Sequence, residues 1–157
     1  MPLSAAHDTT AFDCNNATLN EWHSQRALKN ESGGGSRTFV ICQKNQVIGY
    51  YALASGSVER IAAPKTISRN MPEPIPVMVL GRLAIHQNHQ RQGLGSALLK
   101  DALLRSMGVA GNVGVRAVLV HAISSNAKQF YQRYGFIESR IDSMTLMLAV
   151  NHIRALL

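Results

Sequence analysis

Two nearly continuous apolar runs, residues 77–85 (VMVLGRLAI) and 115–123 (VRAVLVHAI), constrain this chain more than any other feature. A strand with one face in water alternates apolar and polar residues; these runs do not, so each reads as a strand buried on both faces. Such strands need cover on both sides. Part of that cover lies between them in the chain: Leu94, Leu98, Leu99, Ala102 and Leu103 recur at helical spacing and predict a helix from 94 to about 107.

The flanks fit the same plan. Asp13, Asn15 and Asn16 can cap a helix, and Leu19, Trp22, His23 and Ala27 predict an amphipathic one over 16–30. The glycine-rich SGGGS at 32–36 is a breaker, placed too early to separate two domains. RTFVICQ at 37–43 and the run 47–60 read as a hairpin about a turn at Lys44. Four of the five prolines fall within 61–76, and their alternation at 72, 74 and 76 favours extended chain. Asn126 to Tyr134 reads as a short helix stopped by Gly135. Residues 136–137 and 144–150 read as a β ending. The expected fold is α/β: one domain over 1–157, a mixed sheet with flanking helices.

The chain has 157 residues, enough for one core, and its 46% hydrophobic content excludes a disordered polyelectrolyte. The longest apolar run is far below the roughly 18 residues of a membrane span, and the first residues lack a secretory pattern. Cys14 and Cys42 make neither a metal spacing nor a disulfide framework and read as small buried hydrophobes. These features predict a cytoplasmic protein without a membrane partner or metal. Sixteen Lys and Arg against nine Asp and Glu give a net charge of +7 and a pI near 9.9. A polyanionic partner is expected, and with no consecutive basic run the positive surface has to be assembled by folding.

The strand 77–85 leads into HQRQGLGS, residues 89–96, and then directly into a helix. A helix start presents unpaired N–H groups and partial positive charge. Gly93 and Gly95 let backbone approach a ligand closely, and Arg91 can add a fixed charge. The turn therefore reads as a phosphate site or as a tight strand-to-helix turn with solvated polar residues. It is neither a P-loop nor a dinucleotide fingerprint, whose lysine and third glycine are absent.

The spacing Gln90-x-x-Gly93-x-Gly95 resembles the pyrophosphate-binding motif of the GNAT N-acetyltransferases, and Ala127-x-x-Phe130-Tyr131-x-x-x-Gly135-Phe136 resembles their closing motif. Leu19-x-x-Trp22, the strand at 37–40, GYYALASGSV at 49–58, RNMPEPIPVMVLGRLA at 69–84 and GVRAVLVHA at 114–122 are similar to the acetyltransferase toxins of type II toxin–antitoxin modules, of the TacT and AtaT kind. That resemblance spans nearly the whole chain. It implies acetyl-CoA as cosubstrate and the α-amine of aminoacyl-tRNA as acceptor, so that translation stops. It further implies a ribbon–helix–helix antitoxin as partner, operator DNA reached only through that antitoxin, and a homodimer.

By the same resemblance Leu83, Ala84 and Ile85 bind the thioester end of acetyl-CoA. Gln90, Arg91, Gln92, Gly93, Leu94, Gly95 and Ser96 hold its pyrophosphate, and Asn126 and Phe130 complete the cofactor contacts. Ser124 stands where the family often has Asn. Tyr131 is the catalytic acid; its phenol, with a pKa near 10, is protonated at neutral pH. His86 is a candidate base or a solvated loop histidine. An α-amine of pKa near 7.8 is roughly a quarter neutral at pH 7.4, so it needs little base, unlike lysine. Lys29, Arg37, Arg69, Arg82 and Arg91 are the candidates for tRNA contact, and each also reads as a solvated surface charge. The alternative acceptor is a small-molecule amine or a protein N-terminus.

Overall fold

The computed structural model describes residues 2–3, 35–44, 46–87, 90 and 93–156. The helix expected at 16–30 lies outside them, as do Cys14, Lys29, Arg91 and Gln92. Strands β1 (Arg37–Gln43), β2 (Gln46–Val58), β3 (Ile75–Ile85), β4 (Ala117–His121), β5 (Ile137–Glu138) and β6 (Thr145–Ala149) form one sheet in the order β1-β2-β3-β4-β6-β5. The helices are α1 (Lys65–Ser68), α2 (Leu94–Ala110), α3 (Ser125–Arg133) and α4 (Val150–Leu156). The sheet is mixed as expected: β3 and β4 are parallel, with Leu80 opposite Val120, and β4 and β6 are antiparallel.

The chain divides into two compact units, one drawn from Met1–Ala54 and Gly81–Ala102, the other from Ser55–Leu80 and Leu103–Leu157. In the first, β1 and β2 pair from Arg37↔Leu53 to Gln43↔Gln46. Lys44 takes φ 52°, the left-handed conformation that a tight hairpin turn requires. Leu3, Val40, Val47, Tyr50, Ala52 and Ala84 make its core, with half-buried Cys42 packed against them. Burial pushes the Cys42 thiol up, as expected of a packing residue rather than a reactive thiolate.

In the second unit Ala63, Ile67, Ile75, Val77, Ala117, Leu119 and Met147 pack together. These are alternate residues of three strands plus the proline segment, so one sheet face is covered by the β2–β3 connection itself. That connection is less extended than the prolines predict. A 3₁₀ turn occupies Arg60–Ala62, and α1 follows Pro64, whose fixed φ and missing N–H are harmless at a helix start. Arg116 holds the open end of α1, with Nε donating to the Ile67 carbonyl at 3.1 Å and Nη2 to the Thr66 carbonyl at 2.9 Å. Strand β4 is shorter than the apolar run that predicts it, and the expected β ending stops at Ala149, where α4 begins.

Candidate active site

The first unit carries a strand, a turn and a helix start in immediate succession. Strand β3 continues to Ile85, five residues past Leu80, the last of its residues in register with β4. Ala84 and Ile85 are buried and Leu83 half-buried. The strand is tied off twice: the His86 amide donates to the Ile48 carbonyl at 2.7 Å, and Gln90 Nε2 donates to the Ile85 carbonyl at 2.9 Å. Gln90 thus closes the turn at the end of the strand. His86 is buried, contrary to a solvated loop histidine, because its backbone extends the β2 pairing.

Gly93 caps α2. Its carbonyl accepts from the Ala97 amide at 3.1 Å, so the amides of Leu94, Gly95 and Ser96 precede the first intrahelical donor. Gly93 has φ +78°, and a Cβ built on it would meet nothing within 4 Å. The backbone conformation therefore requires glycine while the space over it stays open. Three amide donors, a helix dipole and an open approach fit a phosphate.

The second unit carries the closing motif on α3. Ser124 is the N-cap, its Oγ accepting from the Ala127 amide at 3.1 Å. The residue standing where the family often has Asn is thus a helix cap. Asn126 is exposed and Phe130 half-buried. Tyr131 is 7% exposed and lies in a ring cluster, 5.3 Å from Phe130 and 5.4 Å from Phe136 between centroids. Gly135, at φ +93°, ends the helix as the sequence predicts. Burial among these rings pushes the Tyr131 phenol up to about 12, above the ordinary value of 10.

Of the basic candidates, Arg37 is exposed at the start of β1, and Arg82 is half-buried beside a cavity of about 250 Å³ that Ser36, Ala52 and Ala54 also line. Arg69 sits with Arg60, Lys65 and Arg140 around a cavity of about 500 Å³. Sequence reasoning missed the last three; Arg60 and Lys65 share a connection with Arg69, and Arg140 joins them only by folding. It also missed a chain of hydrogen bonds at the end of β4. Thr145 Oγ1 donates to Asp142 Oδ2 at 2.9 Å, so it accepts from His121 Nδ1, also at 2.9 Å. His121 Nδ1 then carries a hydrogen. The Met144 amide, then the Thr145 hydroxyl and the nearby His121, hold the Asp142 carboxyl below its usual value.

The family model for an acetyltransferase (GNAT) domain matches residues 34–138. The chain belongs to the GNAT acetyltransferases. Within that family it is 45% identical to a tRNA-acetylating toxin of Mycobacterium tuberculosis, an alignment covering 99% of this chain and 93% of the relative. AtaT complexed with acetyl-methionyl-tRNAfMet superposes with a TM-score of 0.92 at 29% identity, covering 99% of this chain and 96% of that one. AtaT bound to the C-terminus of the antitoxin AtaR and to acetyl-CoA superposes with a TM-score of 0.86 at 27% identity, covering 99% and 95%. The six-stranded mixed sheet with flanking helices is the fold of this GNAT group. Among the described residues no helix is long and apolar enough to cross a membrane.

Proposed function

We propose that this chain is a toxin N-acetyltransferase that moves the acetyl group of acetyl-CoA onto the α-amine of aminoacyl-tRNA. The acetylated amine cannot form a peptide bond, so translation stops. A ribbon–helix–helix antitoxin holds the activity in check. The observation that carries this reading is the 45% identity to a tRNA-acetylating toxin over 99% of the chain.

In this reading acetyl-CoA supplies the activated acyl group: a C–N bond forms, the C–S bond breaks, and the amine's proton is balanced by the one that ends on sulfur. The amides of Leu94, Gly95 and Ser96 bind the pyrophosphate, and Gln90 keeps the turn closed on Ile85. Leu83, Ala84 and Ile85 present backbone to the thioester end, as the family motif implies. Tyr131 keeps its proton at every pH the cell meets. With a phenol near 12 and an ordinary thiol near 8.5, full donation is uphill by roughly 5 kcal/mol. Tyr131 therefore acts first as a hydrogen-bond donor to the departing sulfur. Any proton it gives is replaced by the one the amine releases.

The test supplies labelled acetyl-CoA to a total pool of charged tRNA, with uncharged tRNA and free amino acids alongside. Label only in the charged pool supports the reading. Label on free amines or proteins alone points to the alternative acceptors and sinks it.

A further inference from the structure

Four cations from two stretches of chain, residues 60–69 and Arg140, meet in the second unit. Arg60, Lys65, Arg69 and Arg140 line one cavity of about 500 Å³, together with Ile61 and Ser68. No carboxylate is in that lining. Acids stand nearby as well: Glu59 is exposed next to Arg60, Glu73 accepts from the Arg60 amide at 3.2 Å, and Glu138, paired with Lys128, and Asp142 lie two residues to either side of Arg140. Among charged groups, the lining itself carries cations alone.

The walls are prebuilt. Arg140 Nη2 donates to the Arg60 carbonyl at 2.7 Å, and the Arg140 amide donates to the Ala62 carbonyl at 3.1 Å. Ser139 Oγ donates to the same Ala62 carbonyl at 2.6 Å. Arg116 also pins the carbonyls of Thr66 and Ile67, in the helical turn that Lys65 begins. Asn70, at φ 59°, turns the chain directly after Arg69. Cations mounted on a pinned backbone lose less freedom when they bind an anion.

The lining also discriminates between polyanions. A protein partner anchors by placing an apolar side chain in a recess. Here the one apolar lining residue, Ile61, is 63% exposed, and no buried apolar side chain lines the cavity. A sugar–phosphate backbone needs none; it takes guanidinium, ammonium and hydroxyl donors. We infer that this cavity binds backbone phosphates of RNA, with Arg60, Lys65, Arg69 and Arg140 as the contacts. The inference rests on the tRNA reading and gives it a binding surface of which the sequence pointed only to Arg69.

The test is a Lys65→Gln/Arg69→Gln double variant, with Arg140→Gln as a second variant. Both are first shown to melt as wild type does; Lys65 and Arg69 are exposed and their backbone bonds are unaffected. Anisotropy of labelled uncharged tRNA is read from 50 to 200 mM salt, alongside acetyl transfer to charged tRNA. The double variant raises the Kd roughly tenfold and lowers the salt slope by about 2, one per lost phosphate contact, without preference among tRNA sequences. Its KM for charged tRNA rises while kcat is kept. If wild type neither binds nor acetylates tRNA, the substrate reading fails and takes the inference with it. If wild type does both and the double variant shows the same Kd and slope, the inference alone fails. If tRNA binding survives but binding of an acidic amphipathic peptide is lost, the cavity is a protein-docking site and the inference is overturned.

Discussion

Replacing Tyr131 by Phe separates the two things its burial does. The phenol titrates near 10 in the unfolded chain and near 12 in the folded one, because the ring cluster of Phe130 and Phe136 excludes the water a phenolate needs. A group whose folded pKa is raised contributes fully below the unfolded value and loses that contribution as pH rises through the folded value. Nothing changes below about pH 9. By pH 11 the wild type has given up roughly 1.4 kcal/mol through this one residue, and well above pH 12 about 3 kcal/mol. Tyr131→Phe has no such loss. Urea midpoints at pH 9 and pH 11 for both proteins give the difference of differences, in which the other tyrosines and the lysines cancel. The variant gains about 1.4 kcal/mol on wild type between the two pH values. At pH 7.5 it loses on the order of 10²-fold or more in acetyl transfer, the usual cost of removing a positioned acid. Parallel pH dependence in the two proteins would refute the burial argument. Unchanged transfer would refute the catalytic role.

Other perturbations probe the remaining parts of the site. Gly93→Ala meets open space but forces a side chain to φ +78°, a cost of about 1–2 kcal/mol, so it raises the KM for acetyl-CoA and lowers the Tm by a few degrees. Gly135→Ala pays the same strain and also sets a Cβ 3.1 Å from His152 Nε2, so its Tm falls further than that of Gly93→Ala in the same scan. Arg116→Met leaves two carbonyls of α1 without their donor and costs roughly 1–3 kcal/mol, read by urea denaturation, with weaker tRNA binding because Lys65 and Arg69 lose their fixed mounting. In wild type, kcat/KM rises with pH to a plateau just above the pKa of the acceptor amine. It shows no falling limb below pH 10, because Tyr131 keeps its proton there.

The residues that packed alike on both faces were the easiest to place. The apolar run at 77–85 could only be an inner strand, and β3 covers it with two further residues at its start. The glycine turn and the Tyr131 helix were legible because their spacing carries backbone requirements: φ +78° at Gly93 and φ +93° at Gly135 leave little choice of residue. Helix α1 was hidden because four residues after a proline show no periodicity, and its support comes from Arg116, some fifty positions away. Helix α4 was hidden because its first residue continues the apolar run of β6. The Arg60–Arg140 pairing was invisible for the same reason as Arg116: the residues are 80 apart in sequence and meet through carbonyls, which carry no residue code. The raised phenol of Tyr131 is likewise a property of its surroundings, which a spacing motif does not describe.

The central claim is that the acetyl group ends on the α-amine of an amino acid still esterified to tRNA. The most direct measurement treats a charged tRNA pool with the protein and acetyl-CoA, digests it with a nuclease that releases the 3′-terminal nucleoside, and reads the fragments by mass. The account predicts N-acetyl-aminoacyl-adenosine, absent when Tyr131→Phe replaces wild type or when the tRNA is deacylated first. Unmodified aminoacyl-adenosine throughout, from protein that still consumes acetyl-CoA with another amine, would contradict it.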